Sequence, residues 1–227
     1  MSKKSSWVAL SLCGAWVGLV ASAGAAQPGG WQPLVGDHDA PAFRGWVEEG
    51  FPKGWQVDHG MLSKQGSVDD LVTLREYTDF ELEFEWQLGT RGNSGVFYRG
   101  TRAYDHIYWS APEYQLLDDA NAPDGKSRLT SAAADYALYA APAGVVHAAG
   151  HWNRSRIVVR GNHVEHWLNG RKVVSYELGG DDWTAHVAAS KFKDYPGYGK
   201  AASGLVAIQG DHDGSLKLRG LRIRELP

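Results

Sequence analysis

Glu113 and Gln115 stand two apart in a run otherwise made of Tyr114, Leu116 and Leu117. An extended backbone sends both polar side chains to one face and Tyr114 and Leu116 to the other. A glutamate held on a sheet can ligate a cation or take a proton, and a neighbouring glutamine can bind a hydroxyl; the same pair equally suits a solvated outer face. Gln209 closes the apolar run 205–209, with Asp211 and His212 directly after it. Such strand ends hold polar groups against a rigid sheet, where ligands often bind. His166 shares a face with Val164 and Leu168, which fits either a hydrogen-bonded core histidine or a site imidazole. Glu85 and Arg99 are placed to pair between neighbouring strands, for structure or for substrate.

Several other chemistries lack their residues. The chain has no phosphate-binding P-loop, no strand-linked Gly-x-Gly-x-x-Gly and no Cys-x-x-Cys. Ser94 lies in Gly92-Asn93-Ser94-Gly95, without the spacing of a nucleophile elbow. No His-Glu-x-x-His is present, and His163 and His166 face opposite ways on one strand. Asp211-His212-Asp213-Gly214 opens like a calcium loop but has no closing Glu, so it reads as a polar turn.

Composition narrows the class further. With 43% hydrophobic and 22% charged residues and a mean hydropathy of −0.36, the chain is no disordered tail, collagen or disulfide-stapled miniprotein. A formal net charge of −3 gives no electrostatic footprint for nucleic acid. The 28 Gly and ten Trp suit a turn-rich β protein. Trp and Tyr faces also suit stacking on sugar rings, although they fill sandwich cores equally well.

The elements that must position these residues are strands. In the stretch 80–88, Phe80, Leu82, Phe84, Trp86 and Leu88 alternate without a break with Glu81, Glu83, Glu85 and Gln87. Runs at 54–58 and 61–64 flank His59-Gly60, a hairpin turn. Further runs at 94–99, 113–118, 156–160, 164–168, 172–176 and 204–209 continue the pattern, with Asn169-Gly170 a strong turn signal. In the last run, 216–224, the apolar parity shifts at Arg219-Gly220, as a β-bulge requires. Helices are expected only at 132–139 and 182–189, and 190–203 reads as a long loop. Many short strands without interleaved helices predict an all-β antiparallel sandwich of jelly-roll type, in one domain.

Lys3 and Lys4, the apolar run 7–20 and the small residues 21–26 have the plan of a secretory signal peptide. The run is shorter than the roughly 20 residues that span a bilayer, and no later run is long enough. Residues 1–26 are therefore expected to be a leader and 27–227 the exported domain, periplasmic or secreted. Cys13, the single cysteine, falls in the leader, which removes thiol catalysis.

Nine blocks in order resemble a known family. Among them are Gly92-Asn93-Ser94-Gly95-Val96-Phe97-Tyr98-Arg99, Glu113-Tyr114-Gln115-Leu116-Leu117-Asp118, His163-Val164-Glu165-His166-Trp167-Leu168-Asn169-Gly170, Ser190-Lys191-Phe192-Lys193-Asp194-Tyr195-Pro196 and Gln209-Gly210-Asp211-His212. Together they cover about residues 31–226 and resemble the 3-keto-disaccharide hydrolases. The resemblance implies a concanavalin A-like jelly roll and exported enzymes acting on small sugars oxidised at carbon 3. A ketone there acidifies the hydrogen on carbon 2, so a modest base can start β-elimination of the group on carbon 1, and water can add afterwards. A divalent cation on the ketone oxygen would act as a Lewis acid.

On that resemblance, Glu113, Gln115, Arg99, His166, Gln209 and His212 are expected to line the site. His166 or Glu113 is the expected base, and Lys191 and Lys193 are expected to bind substrate or protonate the leaving group. The rival expectation is a non-catalytic, lectin-like carbohydrate-binding module. A conventional glycosidase on this fold would need a row of acids that Glu81, Glu83 and Glu85 do not match in spacing.

Overall fold

The unbroken alternation at 80–88 makes a nine-residue strand in the middle of the larger sheet. A computed structural model describes residues 29–227, and the expected leader, 1–26, lies outside the described residues. We number strands β1 (Gln32–Pro33), β2 (Phe43–Gly45), β3 (Trp55–Asp58), β4 (Met61–Gln65), β5 (Leu71–Thr73), β6 (Phe80–Leu88) and β7 (Asn93–Gly100). They continue with β8 (Glu113–Leu117), β9 (Asn153–Arg160), β10 (His163–Leu168), β11 (Arg171–Glu177), β12 (Leu205–Ile208) and β13 (Ser215–Glu225). One sheet runs β11-β10-β9-β6-β13-β4-β3 with β1 on β13, and the other β2-β5-β12-β7-β8; every pairing is antiparallel. The result is an all-β jelly-roll sandwich.

On β6 the five apolar side chains enter the core, while the glutamates face outward against β13 and β9. Glu81 pairs with Arg224, Glu83 with Arg222 and Arg154, and Glu85 with Arg219. Burial alone would raise the Glu83 pKa; hydrogen bonds from Arg222 and Arg154 outweigh it and hold the carboxyl below its usual range. These three acids are a structural ladder, and Glu85 pairs with Arg219 where Arg99 was expected.

The bulge lies where the parity shifts: β13 changes register against β6 between Arg219 and Arg222, around Gly220 at φ 60°. The hairpin turn at His59-Gly60 also forms, with φ values of 47° and 72°.

One expected helix is present as α1 (Asp181–Ala188), with Asp181 and Asp182 in its positive first turn. The other, 132–139, is not helical. Ala133 and Ala137 hold φ at 65° and 62°, and the segment runs beside β8. Ala133 N donates to Gln115 O, Gln115 N to Ala134 O and Tyr136 N to Glu113 O. Ala132, Ala133 and Ala134 are buried in the core beside this edge. Pairing with the open edge of β8 wins over helix propensity.

The main core fills the space between the sheets. A second, smaller cluster covers part of the outer face of the five-stranded sheet, where Trp46, Ile107 and Ala111 from loops pack on Val72, Phe97 and Ala207. The uncovered remainder of that face is the floor of a cavity.

Candidate active site

Three neighbouring strands supply the floor. Across β12, β7 and β8, Ala207 pairs with Phe97 and Phe97 with Glu113; one step along, Gln209 N donates to Gly95 O, and Gly95 pairs with Gln115. The period of two therefore brings Glu113, Gln115 and Gln209 to one face, as the sequence predicts for the first two. All three line a cavity of about 250 Å3, together with Lys191, His212, Asp211, Tyr108 and Tyr136.

Glu113 is buried, and its side chain lies across Gly95. A Cβ on Gly95 would sit 2.1 Å from Glu113 Oε1, so only glycine leaves this path open. Burial is the main cause that raises the Glu113 pKa to about 8; the Lys191 ammonium pulls it down, and Asp135, Asp211 and Asp70 push it up. With its amide nitrogen facing acceptors, Gln115 lies 3.0 Å from Ser94 O and 3.1 Å from Glu113 Oε1. Gln209 Oε1 is buried without a protein partner, an acceptor presented at the cavity wall.

The walls are loops. Lys191 sits in a 3-10 turn, Lys191–Asp194, capped by Ser190 Oγ accepting from Phe192 N, and its ammonium lies 4.3 Å from the Tyr136 ring centre. Asp211 and His212 ride on a loop fastened from below. The buried Lys64 ammonium donates to Gly66 O at 2.8 Å and His212 O at 2.6 Å, and Asp70 accepts from Gly210 N at 2.6 Å. Burial raises the Asp70 pKa to about 7, against that backbone hydrogen bond.

Three expected site residues, His166, Arg99 and Lys193, stand elsewhere. His166 is on the inner face of β10 with no exposed surface. Nδ1 lies 3.0 Å from Ala133 O and Nε2 2.9 Å from Tyr98 Oη, so the Nδ1-protonated tautomer satisfies both partners. Burial lowers its pKa to about 4, with the Ala133 carbonyl opposing. A neutral imidazole sealed between the sheets reaches no substrate. Arg99 leaves the strand pattern at φ 54°, and its guanidinium donates to Thr78 O at 3.0 Å and Gly161 O at 2.6 Å beside Asp79. It lines a separate cavity under α1, as does Lys193. His166→Ala is expected to cost about 2–5 kcal/mol of stability, because it opens a void, leaves the buried Ala133 carbonyl without its partner and removes one of the two hydrogen bonds of Tyr98 Oη. Denaturant unfolding checks the loss, and the pH dependence of turnover in the folded variant is expected to stay unchanged.

Asn93, Tyr108, Asp124, Tyr136 and Asp211 also line the cavity. For Asp211 the signal was its place beside Gln209; Asn93 opens β7, one residue before the run read from the sequence, and the rest come from turns and loops whose positions no periodicity marks.

The expected divalent cation finds no ready-made cradle at this floor. Among the described residues, the carboxylates and histidine of the cavity do not bring three donor atoms to within ligand distance of one another. No step below passes through a metal.

A two-sheet jelly roll whose cleft gathers three acids, three carboxamides, a lysine and tyrosine walls has the hydrogen-bonding groups and flat rings of a carbohydrate-active protein. The chain belongs to the family of the 3-keto-alpha-glucoside-1,2-lyase-like domain, whose profile matches residues 30–224. It is 30% identical to a 3-keto-disaccharide hydrolase of Bacteroides thetaiotaomicron, over 83% of this chain and 77% of that one. The crystal structure of a candidate glycosyl hydrolase from Parabacteroides distasonis superposes with a TM-score of 0.80 at 31% identity, covering 87% of this chain and 94% of that one. A β-glucanase of Bacillus licheniformis shares the fold alone, at 7% identity and a TM-score of 0.51 over 88% of this chain and 99% of that one. Hydrolase chemistry on a carbohydrate is the activity class this family defines.

Proposed function

We propose that the protein cleaves 3-keto-glycosides by removing the proton on carbon 2 and eliminating the group on carbon 1. One observation carries this reading: a single carboxylate, Glu113, lies buried on the sheet floor beside a lysine, facing a polar cleft.

Glu113 Oε takes the carbon 2 proton, and the electron pair moves onto the ketone oxygen as an enolate. When the enolate reverts to the ketone, the pair forms the carbon 1–carbon 2 double bond and expels the aglycone oxygen. Lys191 supplies positive charge to the enolate and a proton to the leaving oxygen. Water then adds to carbon 1 as carbon 2 regains a proton, so the net reaction is hydrolysis. Gln115 and Gln209 bind sugar hydroxyls. A base with pKa near 8 is stronger than an ordinary carboxylate, which favours abstraction from a carbon acid. The leader-like segment 1–26 supports export, so we place this chemistry in the periplasm or outside the cell.

Activity is expected to rise with pH as Glu113 loses its proton, with an inflection near 8 in kcat/KM. Lys191→Met removes the charge that holds this pKa down, so the inflection should move about one pH unit upward. A pH–rate profile of both proteins measures it. The broader test offers 3-keto-glycosides of both anomers and their unoxidised parents. Release from the keto-sugars alone supports the proposal. Equal release from the parents contradicts it, and saturable binding without release identifies a carbohydrate-binding module.

A further inference from the structure

Away from the cleft, the β3–β4 hairpin turn meets the entry segment at Asp37, His38, Asp58 and His59. We infer that Asp37, His38 and His59 form a surface site for a zinc-class divalent cation, with Asp58 orienting both imidazoles.

One donor atom from each of the three ligands lies within 4.8 Å of the others. His38 Nε2 is 3.0 Å from Asp37 Oδ2, and His59 Nδ1 is 3.8 Å from Asp37 Oδ1. Tetrahedral zinc with bonds of about 2.0–2.1 Å spaces its ligands about 3.3 Å apart, between those two values. Two imidazoles and a carboxylate are the borderline nitrogen and oxygen donors that such cations select over calcium or magnesium.

The far sides of the rings are also accounted for. His38 Nδ1 lies 4.0 Å and His59 Nε2 3.7 Å from the same atom, Asp58 Oδ1. Each ring thus turns one nitrogen to Asp37 and the other toward a second carboxylate at ion-pair distance; closing that gap on metal binding would make the hydrogen bond that fixes tautomer and orientation in metal-binding histidines. The two segments are already joined, because Gly60 N donates to Asp37 O at 2.9 Å. His59 holds φ at 47°, a position where glycine or asparagine costs least, so the turn spends some stability to present an imidazole. Bound metal would strap the entry segment to the hairpin, remote from Glu113.

The test is titration of the EDTA-stripped, full-length protein with Zn2+ by calorimetry, and with Co2+ by visible absorbance. One cation per chain and a tetrahedral Co2+ spectrum are expected. Asp37→Asn and His59→Asn, the latter a residue that tolerates the left-handed turn, should abolish uptake. Asp58→Asn should weaken it about 10–100-fold. Turnover of keto-sugar should be unaffected in all three. No uptake by the parent protein, or uptake that survives His59→Asn, overturns the inference.

Discussion

Glu113→Gln is expected to lower kcat on a 3-keto-glycoside by about 10²–10⁴-fold while making the protein more stable above pH 8. The two effects have one cause. In the fold, burial raises this carboxyl from its ordinary 4.5 to about 8, so between those values the native state keeps a proton that the unfolded chain releases. Stability therefore falls as pH rises from 4.5 to 8 and levels off above it. Glutamine matches the neutral form and never ionises, so it escapes this loss. At pH 4, below both values, the variant and parent should melt together. At pH 8.5 the variant should gain about 1–3 kcal/mol, or about 2–10 °C in Tm. Calorimetric scans at the two pH values measure the second effect and initial rates the first. Loss of activity without the pH-dependent gain would mean that Glu113 sits in a more solvated site than described.

Gly95→Ala is the second large effect. The backbone there is ordinary, so alanine is free to adopt it, and the cost is steric. The new methyl would occupy the path of the Glu113 side chain, 2.1 Å from Oε1 and 2.8 Å from Cδ. The carboxylate must swing away from the floor. Misplacement of a base by about 1 Å costs about 10²-fold, so kcat should fall by that order while Tm changes little. Retained activity in Gly95→Ala would show that Glu113 works from another rotamer.

Strand-borne features were the legible ones. Phe80–Leu88 alternates cleanly because one face meets the core and the other an ion-pair ladder. The step at Arg219-Gly220 marks the bulge because apolar parity must track the core across it. Glu113 and Gln115 were visible as polar residues at matching parity in an apolar run.

What failed to show has physical reasons too. Arg99 was expected in the site from the family resemblance and from pairing across neighbouring strands, but its left-handed backbone takes it out of the sheet face. His166 keeps strand parity and simply faces inward, where a histidine with two hydrogen-bond partners is as acceptable as a leucine. Lys64 and Asp70 work through loops 148 and 140 residues away, a separation that no local pattern encodes. At 132–139, alanine content suggested helix where pairing with the open edge of β8 decides the backbone.

The central claim is abstraction of the carbon 2 proton by Glu113. Its most direct test is proton NMR of a 3-keto-glycoside in deuterium oxide, with the parent protein and with Glu113→Gln, each with and without EDTA. The mechanism predicts aglycone release with deuterium appearing at carbon 2, both insensitive to EDTA and both lost in the variant. Release that leaves the carbon 2 hydrogen in place, or exchange that persists in Glu113→Gln, would contradict it.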